Sequence, residues 1–328
     1  CALCVSGSYK SITGPATCAP CATGKYGMST IPGTSEQHCK LCAPGTYSMH
    51  EHSTGCVKCP LGTYNGKYGA HSISECTPCP AGTYHYGIVD GSTSNATCVP
   101  CGHGTYSADE GAVSDAVCIS CGIGTYSNVL GAVSSQNCSD CPAGKFGTAP
   151  ALENVEECDQ CAAGKYSSAV GLAMVSQNNP CFWCVAGKYS SMIGLTTGGG
   201  CISCARGKFA LSGSGYVGLR TSESEACSLC LPGTYNNITG LSVEGNTHTV
   251  KCTRCPPGTY NPETGSGSSV ACIQCAAGKY SERMPPSPPG DEDMVCISCD
   301  AGKYLNMRGA LYDGVGGSTP CIPCPKGT

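Results

Sequence analysis

The sequence predicts a small disulfide-rich fold, mostly coil with short β-hairpins and negligible helix, repeated as a linear rod or solenoid. Three observations predict it. All 32 cysteines fall in sixteen Cys-x-x-Cys pairs, in single file from Cys1/Cys4 to Cys321/Cys324. The residue three places past each pair is always Gly, and two places further stands an aromatic, from Tyr9 and Tyr26 to Tyr280 and Tyr304, with Phe146 and Phe209 among them. First cysteines of successive pairs stand 17 to 26 residues apart, most often 20. A fixed period of this size marks an array of one small unit. The expected organisation is a continuous array over residues 1–328, with repeats starting near 1, 18, 39, 56, 76, 98, 118, 138, 158, 181, 201, 227, 252, 272, 296 and 321. The last copy, Cys324-Pro-Lys-Gly-Thr328, stops before its aromatic and the first residue is not Met, so the chain reads as part of a longer protein.

Each element of the repeat follows from its residues. The cysteines open a short extended segment, the Gly permits a turn with positive φ or a close backbone approach, and the aromatic can lie over a disulfide. A polar stretch such as Ser107 to Gly111 or Ser127 to Gly131 then returns the chain to the next cysteine. No apolar period of 3.6 residues survives the Gly and Pro content, which excludes long helices.

Composition makes covalent closure necessary. The chain holds three Phe and one Trp, while cysteine is almost a tenth of its residues. Ordering a residue costs roughly 1–2 kcal/mol of backbone entropy, and one aromatic with one or two aliphatics per unit cannot offset that alone. A disulfide closing a loop of about 15 residues contributes about 3 kcal/mol in the chain-entropy model. Such bridges persist in oxidising surroundings, so an extracellular or cell-surface location is expected. Glycosylation sequons at Asn95, Asn237 and Asn137 agree with it, the last being weakest because it touches Cys138. No apolar run reaches the length of a membrane span. The net charge is −4 with 12% charged residues and no basic run, which argues against nucleic acid or an anionic membrane as partner.

Two disulfide schemes suit the pairs. The second Cys of each pair can join the first Cys of the next, which is favoured, or the pairs can cross in blocks of four, as Cys1–Cys18 with Cys4–Cys21; sequence alone leaves both open. The run Cys-Pro-Ala-Gly-Thr-Tyr at Cys79 to Tyr84, varied at Cys59 to Tyr64 and Cys255 to Tyr260, resembles the ephrin-receptor-like cysteine-rich repeat. It is also similar to the first-type module of tumour-necrosis-factor receptors. The resemblance covers the whole chain, is specific for the module rather than for a function, and implies the adjacent connectivity. That gives Cys4–Cys18, Cys21–Cys39, Cys42–Cys56, Cys59–Cys76, Cys79–Cys98, Cys101–Cys118, Cys121–Cys138 and Cys141–Cys158 in the first half. In the second half it gives Cys161–Cys181, Cys184–Cys201, Cys204–Cys227, Cys230–Cys252, Cys255–Cys272, Cys275–Cys296 and Cys299–Cys321. Cys1 and Cys324 are left for partners outside this segment.

Other motifs were weighed against plainer readings. Successive Cys-x-x-Cys pairs also satisfy a zinc-ribbon spacing, but the unbroken series has no grouping into fours and the sequons point outside the cell. Thioredoxin-like chemistry needs one such pair at the head of a helix. His50-Glu51-His52 lacks the i, i+4 histidines of a metalloprotease helix and reads as a solvated loop. Asp291-Glu292-Asp293 follows the proline-rich run from Pro285 and lacks spaced oxygen ligands, so it reads as a charged loop tip. Lys replaces Thr before the aromatic at Lys25, Lys145, Lys165, Lys188, Lys208, Lys279 and Lys303, either as a functional stripe or, preferably, as stems covering rings. Phe182-Trp183, unique inside its Cys pair, is a contact hot spot or a packing residue over neighbouring bridges. The long intervals 201–227, 227–252, 272–296 and 296–321 carry extra Gly, Pro and polar residues, where lateral contacts are most easily added.

No residues are arranged as a catalytic constellation, and no cofactor, metal, nucleic acid or membrane span is expected in this segment. The leading expectation is a structural subunit of an extracellular fibre, filament or surface appendage. Its partners are copies of itself or other extracellular structural proteins, with N-linked and O-linked glycans on its loops. The alternative is a ligand-binding or adhesion ectodomain of a cell-surface receptor. A zinc-binding array ranks third.

Overall fold

The computed structural model describes residues 4–10, 17–28, 35–87, 90–174, 179–212, 220–244, 252–282, 296–312 and 320–325. The chain divides into two compact units, one of Cys1–Pro142, Phe146–Asp159 and Gly171–Asn178, the other of Ala143–Lys145, Gln160–Val170 and Asn179–Thr328. One ladder of disulfide-closed hairpins is built in each.

The repeat closed by Cys59 and Cys76 shows how it forms. Pro60-Leu61-Gly62-Thr63 is a turn in which the Thr63 N–H donates to the Pro60 carbonyl at 3.2 Å, with Gly62 at φ +82°. Positive φ at the third turn residue is what a type II turn demands, and Pro suits the second, as at Pro44 and Pro257. The Thr63 hydroxyl donates to the same carbonyl at 2.7 Å, a bond repeated at Thr46, Thr83, Thr105, Thr125, Thr234 and Thr259. Thr63–Tyr64 then pairs antiparallel with Thr77–Pro78, the latter inside the next Cys pair.

Between the strands, the returning segment commonly ends in a single 3-10 turn just before the cysteine, in keeping with the negligible helix expected. Ser72 caps Ile73–Glu75 with a capping box, and Ser94, Asn154 and Ser268 cap theirs through the side chain. A hydroxyl or amide residue four places before the closing cysteine was the signal, because it satisfies orphan N–H groups that a bare turn leaves open.

Repeats interlock through backbone. In each of the fifteen junctions from Cys21 to Cys324, the N–H of a pair's second Cys donates to the carbonyl of the preceding repeat's turn Gly, as Cys79 does to Gly62 at 2.8 Å. In most of the described loops a second glycine, such as Gly69, donates back to the previous repeat's Cys, here Cys42, at 2.8 Å. The residue after the aromatic reaches forward, as Asn65 N–H does to the Ser92 carbonyl at 3.0 Å. Contact also extends one repeat further. A Cβ on Gly62 would lie 2.1 Å from the carbonyl oxygen of Gly111, in the next repeat but one. The sequence pointed to neighbour contacts only, because nothing in a 20-residue period reveals which backbone lies against the turn glycine.

The core is thin and centred on sulfur. Tyr47 and Ala70 pack with Cys59 and Cys76, and Tyr126 and Leu152 with Cys141 and Cys158. In the second unit Tyr260 packs against Cys275 and Cys296, and Leu241 against Phe209, Cys230 and Cys252. The aromatic of one repeat thus covers the disulfide of the next.

The four long intervals form two consecutive pairs for a structural reason. Elsewhere the aromatic makes one parallel bridge to the following loop, as Tyr47 does to Ala70. In the long intervals Lys208–Ser212 instead pairs in parallel with Ser242–Glu244, and Lys279–Glu282 with Ala310–Tyr312. An extended strand in one interval needs an extended partner in the next, so extra length comes in twos.

The loop glycine has positive φ in its repeats, and two copies replace it: His52 and Ala151, both at φ 61°, are the two non-glycine residues with positive φ among the described residues. An L-residue there bears roughly 1–2 kcal/mol of strain, partly offset by the greater unfolded-state entropy of Gly. Ala151→Gly is therefore expected to stabilise its repeat by up to about 1 kcal/mol, read as slower hydrogen exchange at the Ala151 position. Unchanged or faster exchange would contradict the assigned conformation.

Candidate functional site

Sulfur chemistry dominates the molecule. Fifteen disulfides join the second Cys of each pair to the first Cys of the next, from Cys4–Cys18 to Cys299–Cys321. The crossed scheme and a four-thiolate zinc scheme both require sulfurs that these bonds occupy. Cys324 is exposed and unbonded, while Cys1 lies outside the described residues. Among the described residues no group of three or more His, Cys, Asp or Glu could hold a metal ion, and no helix is long and apolar enough to cross a membrane.

A column of buried polar residues runs beside the sulfurs, one place after the aromatic. Ser48, Asn65, His85, Ser107, Ser127 and Ser167 occupy it and are all buried. Their side chains turn back on their own loops: the Ser107 hydroxyl accepts from Asp109 N–H at 3.3 Å, and Asn65 Oδ1 from Lys67 N–H at 2.9 Å. Asn261 spans repeats by donating to the Thr234 carbonyl at 3.1 Å and to Ser266 Oγ at 2.9 Å. Sequence reasoning passed over this column because its residues look like ordinary loop polars; the signal was their fixed place after each aromatic.

His50, Glu51 and His52 are exposed and hold no common centre. His52 takes the loop-glycine position instead: its N–H donates to the Cys21 carbonyl at 3.2 Å and its Nδ1 lies 2.7 Å from Ser8 Oγ. Asp291, Glu292 and Asp293 lie outside the described residues.

Four of the lysines before the aromatics find separate local partners. Lys25 pairs with Glu36 at 2.9 Å, Lys208 with Glu223 at 2.7 Å and Lys303 with Asp300 at 3.0 Å, while Lys165 lies 4.4 Å from the Trp183 ring. Hydrogen bonding from Lys208 holds the Glu223 carboxyl below its ordinary value. A depressed carboxyl pKa contributes stability above the unfolded-state value and loses it as pH falls through the folded one. Glu223→Gln is thus expected to flatten the acid-side loss of protection in its repeat; an unaltered pH profile would show that the pair contributes nothing.

Phe182–Trp183 forms the closing strand of its hairpin, Lys165 facing Trp183 and Tyr166 facing Phe182. The Tyr166 and Phe182 rings stand 6.2 Å apart, yet Phe182 remains 63% exposed and Trp183 36%. Asn95 and Asn237 are exposed, whereas Asn137 is half-buried, its Oδ1 accepting from Ser134 N–H at 3.3 Å.

With that geometry in view, three overlapping segments, residues 30–76, 66–118 and 113–158, match the family model described as tyrosine-protein kinase ephrin type A/B receptor-like. This stretch carries tandem cysteine-rich repeats of that kind, and the same pattern of disulfides continues beyond it. No curated protein matches the chain.

Proposed function

We propose that this chain is a non-catalytic structural segment of an extracellular fibre, filament or surface appendage. The observation that carries the reading is the interlock: turn glycines are held by the next repeat, and most of them, from Gly7 to Gly207, lie against the next but one, so stiffness grows from repetition. Dense disulfides suit an oxidising space outside the cell. Electron microscopy of the oxidised protein should show straight particles whose length scales with the number of repeats. Isolated flexible monomers would overturn the proposal.

Glycans belong to the same reading. Asn95 and Asn237 carry N-glycans and Asn137 does not, because its amide is engaged in capping. Mass mapping after glycosidase treatment in heavy-oxygen water should label the first two; label at Asn137 alone would contradict the assignment.

A second reading, an adhesion or ligand-binding ectodomain, is favoured by one feature, the exposed Phe182 beside Trp183. Aromatic anchors of this kind concentrate binding energy in interfaces. If that reading holds, Phe182→Ala abolishes binding to a captured partner while leaving hydrogen exchange in the repeat intact.

A further inference from the structure

The charges of this chain are segregated along the ladder. Residues 68–159 contain ten Asp and Glu against a single Lys, and residues 160–222 contain five Lys and Arg with no Asp or Glu. The net charge of −4 conceals this, because the basic block offsets about half of the acidic one and the rest of the chain is neutral.

We propose that the chain pairs with a second copy of itself, the acidic block of one seated on the basic block of the other. This deepens the structural reading above and rests on it. Each copy carries both blocks, so each can supply either side of the contact.

The side chains are placed for it. Asp109, Glu110, Asp115, Glu153, Glu157 and Asp159 are exposed on the acidic block. On the basic block Lys208 is already balanced by Glu223, and Arg220 donates to the Cys184 carbonyl, but Lys188 and Arg206 make no ion pair among the described residues. Both blocks also expose aliphatic or aromatic residues. Ile119, Leu130 and Val133 are 54%, 58% and 49% exposed on the first, and Phe182, Met192 and Ile193 63%, 62% and 61% on the second. Apolar contact supplies affinity, while complementary charge selects the partner, fixes register and speeds encounter. A like block meeting a like block is penalised, so the copies are steered to acidic-on-basic contact.

Sedimentation of the intact oxidised chain tests this. Association should weaken at least about tenfold between low salt and about 0.5 M NaCl, as screening of exposed charge requires. Lys188→Glu with Arg206→Glu should weaken it by a similar factor, and so should Asp109→Lys with Glu110→Lys. Mixing the two reversed chains should make both kinds of contact between unlike chains complementary again and recover association. Near-native hydrogen exchange in each variant would separate lost pairing from lost folding. Salt-independent assembly, or reversal without effect, overturns the proposal. Straight single particles by microscopy with no salt-dependent pairing would defeat it while leaving the structural reading in place; salt-dependent pairs of flexible chains would do the opposite.

Discussion

Gly82→Ala is expected to cost at least about 3 kcal/mol locally, whereas Gly131→Ala, at the glycine it faces, costs about 1 kcal/mol. Both glycines have positive φ, +79° and +66°, so both substitutions incur left-handed strain. They differ in what a methyl would meet. At Gly82 the Cβ would lie 2.1 Å from the Gly131 carbonyl oxygen, main chain held by the Gly131 N–H bond to the Cys101 carbonyl at 2.9 Å. At Gly131 the nearest atom is Pro100 Cβ at 3.2 Å, a contact relieved by a small shift. Ala151 already fills the equivalent loop position, which shows that the site accepts a methyl. A repeat array need not unfold in one step, so the measurement is site-resolved hydrogen exchange rather than one melting temperature. Gly82→Ala should release the amides of Gly82, Ser107 and Gly131, which cross between three successive repeats. Equal effects of the two substitutions would remove the next-but-one contact from the account.

That contact marks where the sequence stops being legible. The turn glycine and the aromatic after it were readable because each is a local rule, positive φ in a four-residue turn and a ring beside a sulfur, whereas the choice between adjacent and crossed cysteine pairing came from the family resemblance and not from spacing. The reason for an invariant Gly at Gly82 rather than Asn was not readable, since Asn tolerates the left-handed region and only an opposing carbonyl from elsewhere in the chain excludes a side chain. The capping turn at Ser72 to Glu75 was present as a pattern but masked by its brevity. Ser107 and Asn65 were misread as loop polars because burial of a small hydroxyl or amide leaves no hydrophobic trace in composition. His52 shows the converse hazard. Its cluster reads as a solvated loop and is exposed, yet its place in the repeat, where other copies carry glycine, also gives it a backbone role.

Removing one bridge tests the physical basis of the whole chain. Replacing Cys141 and Cys158 together by Ala should cost about 3 kcal/mol from the released loop, with a further loss from the void under Tyr126 and Leu152, whose packing partners the sulfurs are. A repeat this small has no other core, so it should open outright while the chain around it stays folded. The amides of Ser127 and Gly171, bonded to Leu152 and Cys141 carbonyls, should exchange freely; that of Asn65, four repeats away, should stay protected. Locality is the signature of nearest-neighbour stabilisation, in which each added unit contributes its own closure and its own interfaces. Global collapse from one missing bridge would instead mean that the ladder is a single cooperative core. No loss at all would mean that the loops hold without their sulfurs. Thiol reductant should dismantle every repeat and a metal chelator none, because the stabilising element is a covalent loop whose cysteines stand 14 to 23 residues apart, and a closure of that span contributes about 3 kcal/mol where little surface is available to bury.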